Sequence, residues 1–96
     1  MSILGSIISA VESMFGIGFT PEQKTAALDK KAAASKEHLD WRNSIVDLMK
    51  LTGMDSSLSA RATLAKELGY PGSFTGTAEQ NIWLHQKVMD NLKPRW

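Results

Sequence analysis

The sequence predicts an all-α fold: a small five-helix protein, made of a compact C-terminal helical bundle plus an N-terminal amphipathic helix. Apolar residues recur at helical spacing along most of the 96-residue chain, and no stretch alternates with the two-residue period of a strand. Two Thr-x-x-Gln signatures, at residues 20–23 and 77–80, are capping boxes that mark helix starts. Glycines at 53 and 69 stand where helices end. A chain of this length buries roughly 60–65% of its unfolded surface, enough for one modest core.

The first helix covers residues 3–15. At 3.6 residues per turn Ile3, Leu4, Ile7, Ile8, Val11, Met14 and Phe15 share one half, and Ser2, Gly5, Ser6, Ser9, Glu12, Ser13 and Gly16 the other. The GIGF segment, 16–19, breaks it with two glycines. Thr20 caps the second helix, about 21–34, with Pro21 at its first position and Gln23 completing the box. That helix is alanine-rich with Leu28 as its one large apolar residue, which predicts an exposed, weakly anchored element. Asp40 is placed to cap a third helix, about 41–51, with Trp41, Ile45, Leu48 and Met49 as its buried stripe. Asp55 or Ser56 caps the fourth, about 57–68, whose apolar face is Leu58, Ala62, Leu64, Ala65 and Leu68. An eight-residue loop, GYPGSFTG, precedes the fifth helix at about 78–92, which Pro94 terminates. Residues 1–19 thus form an amphipathic helix with a Gly-rich turn, and 20–96 the bundle domain.

Several residues conflict with a plain bundle. Arg61 lies inside the apolar arc of the fourth helix, where an unpaired guanidinium costs several kcal/mol. Asp40, Asp47 and Asp55 are its candidate partners in a structural ion pair. Trp83 points away from the face made by Ile82, Leu84, His85, Val88, Met89 and Leu92, among Glu79, Lys87 and Asp90. With Tyr70 and Phe74 from the loop it makes a candidate binding surface, because aromatic side chains are frequent binding anchors. The bland alternative is that the loop or the first helix folds over Trp83. His85 and Asn81 sit inside the apolar arc. His85 reads as a core histidine bonded to backbone, since a metal site needs converging ligands and the chain has two histidines. Asn81 reads as a tie to the preceding loop.

Reaction chemistry is sparse. Cysteine is absent, and no HExxH or Gly-rich phosphate loop occurs. Ser44, Asp47 and His85 are the residue types of a triad but lack any supporting spacing. No cofactor or metal is expected, and the protein is expected not to be an enzyme. The net charge of +1 is spread thinly: residues 1–19 carry only Glu12, 20–40 balance at zero, and 41–96 reach +2. That leaves no clustered basic face for nucleic acid. LAKELGY would suit a helix-turn-helix, but the eight-residue loop after it exceeds the usual three- or four-residue turn. There is no secretory signal pattern and no apolar run of membrane-spanning length, so a cytoplasmic or virion-associated location is expected.

LDWRNSIVDLMKLTGMDSSLSARATLAKELGY followed by NIWLHQKVM, within residues 39–92, resembles a small bacterial and phage family known as domain of unknown function family 3597. Asp40-Trp41-Arg42, Asp55-Ser56-Ser57-Leu58, Leu64 to Tyr70 and Ile82-Trp83-Leu84-His85 carry the resemblance. It implies five helices with a long flexible loop after the first. This chain departs there, with the usual Ala/Pro-rich stretch shortened to GIGF and its neighbours, so independent mobility of the first helix is not carried over. The family supplies no activity or catalytic residues. The LGYPGSFTG loop is also similar to peptidoglycan-binding three-helix modules, without their usual Asp-Gly and Thr pattern.

The expected function is therefore a non-enzymatic protein-interaction or structural domain. Its first helix is the candidate interaction element, because burying each of its large apolar side chains contributes on the order of 1.5 kcal/mol or more. Docking on its own core, self-association and a protein partner are the competing ways to cover them. A membrane surface reached through that helix and peptidoglycan bound by the aromatic cluster are the alternative partners.

Overall fold

Five α-helices follow one another in the computed structural model: α1 (Ile3–Glu12), α2 (Pro21–Ala34), α3 (Ile45–Leu51), α4 (Leu58–Glu67) and α5 (Ala78–Leu92). A 3₁₀ turn over Lys93–Arg95 extends α5. The structure describes residues 2–15 and 18–95, so two residues of the expected glycine break at 16–19 lie outside the described residues. No described residue is in a strand.

α2 and α5 begin where the capping boxes place them. Thr20 Oγ1 accepts the Gln23 N–H at 3.2 Å while Gln23 Oε1 accepts the Thr20 N–H at 2.9 Å. Thr77 and Gln80 repeat the exchange at 3.2 and 3.1 Å. Each box satisfies two N–H groups that a helix start leaves without an intrahelical partner. α1 is shorter than its apolar repeat: the N–H groups of Met14 and Phe15 reach back three residues, to Val11 and Glu12, so the last turn tightens and the α-helix ends at Glu12.

The start of α3 is a correction. Asp40 does not cap a helix at 41. Residues 41–43 form a turn, and Ser44 is the N-cap, its Oγ accepting the Asp47 N–H at 3.2 Å. The reason is tertiary. His85 Nε2 lies 2.8 Å from the Trp41 carbonyl, an oxygen that a helix through 41 would have given to residue 45. A carbonyl only accepts, so Nε2 carries the proton. The expectation of a core histidine bonded to backbone thus holds, with His85 buried. α4 likewise begins one residue later than expected, at Leu58, capped by Ser57, while Asp55 receives the Ser57 N–H and hydroxyl at 2.9 and 3.0 Å.

One core joins all five helices: Ile7 and Val11 of α1, Leu28 and Ala32 of α2, Ile45, Leu48, Met49 and Leu51 of α3, Leu64 and Ala65 of α4, and Leu84, Val88, Met89 and Leu92 of α5, with Trp41 among them. α1 packs on α4, and α5 packs on α3 and α4. The wider stripe of α1 is covered here too, with Ile3, Leu4, Ile8, Met14 and Phe15 partly buried against that core. Of the seven apolar residues of the candidate interaction helix, Ile7 and Val11 are thus buried and the other five partly buried within the chain. α2 is held more lightly. Beyond Leu28 and Ala32, it is tied by Lys24, 5.7 Å from the Phe15 ring centroid, and by Asp29, which accepts Trp41 Nε1 at 3.0 Å and Arg42 Nε and Nη2 at 3.2 and 2.8 Å. Arg42 also lies over the Trp41 ring, 4.8 Å from its centroid.

Candidate functional site

The segment between α4 and α5 is built from its glycines inward. α4 closes in a Schellman motif: Gly69 donates to the Lys66 carbonyl at 3.1 Å and Tyr70 to the Ala65 carbonyl at 2.9 Å. Gly69 has φ +84°, a conformation that a Cβ would strain. This turn directs the Tyr70 ring back along α4. At the far end Gly76, φ +80°, lies under Leu58: a Cβ there would meet Leu58 Cδ1 at 2.8 Å. A side chain there would strain the left-handed backbone and would need Leu58 to turn aside.

Gln80 holds the middle of the loop. Besides its capping bond, its Oε1 accepts the Thr75 N–H at 2.9 Å and the Thr75 hydroxyl at 3.1 Å. Its Nε2 donates to the Tyr70 hydroxyl at 2.9 Å and the Ser73 carbonyl at 3.2 Å. One side chain therefore caps α5 and fixes the loop that precedes it. The sequence signals the capping role through Thr77-x-x-Gln80; it carries no signal for the loop contacts.

These constraints bring the three singled-out aromatics together. Tyr70 meets Phe74 edge to face, with centroids 5.7 Å apart and planes at 82°, and meets Trp83 at 4.9 Å and 71°. All three are half-buried against the core. Trp83 faces away from the centre of the bundle, but the loop folds over it, and Lys87 Nζ lies 5.8 Å from its ring centroid. The rings meet edge to face rather than forming the flat platform on which a sugar ring stacks. Beside them lies a half-open cleft of about 430 Å³, lined by Ala62, Ala65, Lys66, Tyr70, Gly72 and Phe74. Tyr70 and Phe74 are aromatic lining residues, the α4 alanines make an apolar side, and Lys66 brings the one charge among the lining residues. Trp83 supports Tyr70 from behind and is not itself among them.

Arg61 is a correction. It pairs with none of Asp40, Asp47 or Asp55. Its Nε donates to the Ser56 carbonyl at 3.1 Å and its Nη1 to Asn81 Oδ1 at 2.7 Å. Asp47 accepts the Asp40 N–H at 2.8 Å, Asp40 accepts the Asn43 amide, and Asp55 is engaged by Ser57. Arg61 is half-buried, so its charge keeps contact with water and needs acceptors rather than a counter-charge. Asn81 in turn donates to the Gly76 carbonyl at 3.3 Å, tying down the loop as its position predicted.

Ile82 is a second correction. Expected on the buried face of α5, it is 64% exposed. The buried arc is centred on Leu84, His85, Val88 and Leu92, and Ile82 lies at its edge. Leu58, expected on the buried face of α4, is 46% exposed at the start of that helix. Ser44 is committed to capping α3 and His85 to the Trp41 carbonyl, so neither belongs to a triad with Asp47. Among the described residues no cluster of His, Asp and Glu could hold a metal ion, and no helix is long and apolar enough to cross a membrane.

A family model described as a domain of unknown function, DUF3597, matches residues 7–95. The chain belongs to that family. A solved relative is a conserved protein of unknown function from Rhodopseudomonas palustris, known from a solution structure. It shares 40% identity and a TM-score of 0.73, over 98% of this chain and 92% of that one. No curated protein matches the chain. Membership in DUF3597 assigns no specific role.

Proposed function

We propose that this DUF3597 protein is a non-enzymatic interaction domain that docks an apolar side chain of a partner polypeptide in the cleft between α4 and the loop before α5. The observation that carries this reading is the preformed aromatic lining. Gln80 fixes the loop through Thr75, Ser73 and Tyr70, and Trp83 supports the Tyr70 ring. A recognition surface that is already ordered loses less conformational entropy on binding. The cleft, at about 430 Å³, falls within the usual range for ligand pockets and suits one or two large side chains. Lys66 favours a partner with an acidic group beside its apolar anchor.

Selection of random peptides displayed on phage against the immobilised full chain tests this, with Ala62→Trp filling the cleft as the control. The expected result is enrichment of peptides that share a large apolar residue and lose binding to the variant. Failure of any peptide to enrich, or equal binding to a folded Ala62→Trp protein, would overturn it.

A further inference from the structure

The shape of the cleft limits the kind of segment it can take. On its α4 side it is lined by Ala62, Ala65 and Lys66, little more than one helical turn, so its floor runs roughly 6 Å along that helix. An amphipathic helix docks through anchors at i and i+7, which lie roughly 10 Å apart, and would overhang this floor. Strand addition needs an open sheet edge, and among the described residues there is no strand. A polyproline II segment advances about 3.1 Å per residue, so two successive prolines span the floor.

The chemistry of the walls fits the same ligand. Tyr70 and Phe74 line the cleft with aromatic rings, and proline rings pack on aromatic surfaces at little cost in conformational freedom. The Tyr70 hydroxyl accepts from Gln80 Nε2 at 2.9 Å and donates to no acceptor among the described residues. A phenolic hydroxyl has one proton to give. A polyproline II backbone has no internal hydrogen bonds, so its carbonyls are open to that proton. Lys66 is exposed and forms no ion pair among the described residues, which matches an acidic residue beside the prolines. We infer that the segment bound here is a proline-rich, acidic stretch in the polyproline II conformation. Its prolines lie against Tyr70 and Phe74, one of its carbonyls accepts the Tyr70 hydroxyl, and its carboxylate faces Lys66. This assignment rests on the cleft being the docking site proposed above.

Fluorescence polarisation with dye-labelled peptides and the full chain tests this. The first peptide is Ala-Pro-Pro-Glu-Pro-Pro-Ala; the others replace every proline by alanine, every proline by leucine, or the glutamate by lysine. The first is expected to bind most tightly, and the alanine peptide about tenfold more weakly. Tyr70→Phe keeps the ring, removes the hydroxyl and is expected to weaken the first peptide about fivefold. Lys66→Glu is expected to reverse the preference, favouring the lysine peptide over the glutamate one. Tighter binding of the leucine peptide, lost in Ala62→Trp, would overturn the proline assignment and leave the docking cleft standing. So would binding of none of the four while the phage selection enriches proline-free peptides; failure of both experiments would overturn the docking cleft as well. Parent-like binding of the first peptide by both Tyr70→Phe and Lys66→Glu would also overturn the assignment, because the contact would then lie elsewhere.

Discussion

α2 and α5 start with the same device and end with different places in the molecule. Each opens on a Thr-x-x-Gln capping box with both reciprocal bonds formed. α5 then buries Leu84, His85, Val88, Met89 and Leu92, whereas α2 buries only Leu28 and Ala32. The box decides where a helix begins. How firmly the helix is held depends on the apolar residues that follow, because in a protein most helical stability comes from packing. The two glutamines differ in the same way: Gln23 closes its own box, while Gln80 also holds Thr75, Ser73 and Tyr70.

The sharpest way to break the comparison is to empty one core position in each helix. Leu84→Ala is expected to cost about 3 kcal/mol in urea unfolding and to lower protection throughout the chain. Leu28→Ala is expected to cost about 2 kcal/mol, with the loss of amide protection concentrated in α2. Equal, chain-wide losses from the two variants would show α2 to be as firmly integrated as α5.

Next come the capping glutamines. Gln80→Ala removes the loop contacts together with the cap and is expected to cost about 1.5 kcal/mol, with a marked change in the near-ultraviolet signal of Tyr70 and Trp83. Gln23→Ala is expected to cost about 0.5 kcal/mol and leave that signal unchanged. Similar costs would mean that the loop bonds add nothing to stability.

Asp29 sharpens the question of how α2 is tied. The Arg42 hydrogen bond, with the Trp41 hydrogen bond and the Arg42 charge, holds its carboxyl below the usual 3.8, against an opposing effect of burial. A carboxyl with a lowered folded-state pKa contributes stability that is present above the unfolded value and lost as pH falls through the folded one. The pair is half exposed, with side-chain accessibilities of 53% and 50%, so Asp29→Asn is expected to cost only about 1 kcal/mol at pH 7. The difference from the parent is expected to shrink as the pH falls below about 4. A difference that persists unchanged into acid would assign the cost to packing rather than to the carboxylate. The smallest effect is expected at Ile82, where Ile82→Gln changes stability by no more than about 0.5 kcal/mol despite its place in a helical apolar pattern. A loss of about 2 kcal/mol would place Ile82 in the core after all.

The fold was legible wherever a signal acts within a few residues. Thr20 and Thr77 mark their helices, Gly53 and Gly69 end theirs, and Leu48, Leu64 and Leu84 belong to stripes that meet. Of the candidate site, Tyr70, Phe74 and Trp83 could be named from their types and positions. Their mutual geometry could not, since it depends on how Gln80 and the Schellman turn after α4 bend the loop. Arg61 was recognisable as a residue in need of partners, but those partners, Ser56 and Asn81, are neutral acceptors that no charge rule selects.

By itself, then, the sequence determined five helices, most of their limits and the majority of the core, because capping and amphipathic periodicity act over three or four residues of one helix. The tertiary structure alone decided that Trp41 lies in a turn beneath His85, that Ile82 stays outside, and that α1 lies on α4 with Glu67 across its first turn. Each of those outcomes brings together groups far apart along the chain, and only the packed arrangement of the helices fixes which of them come within reach.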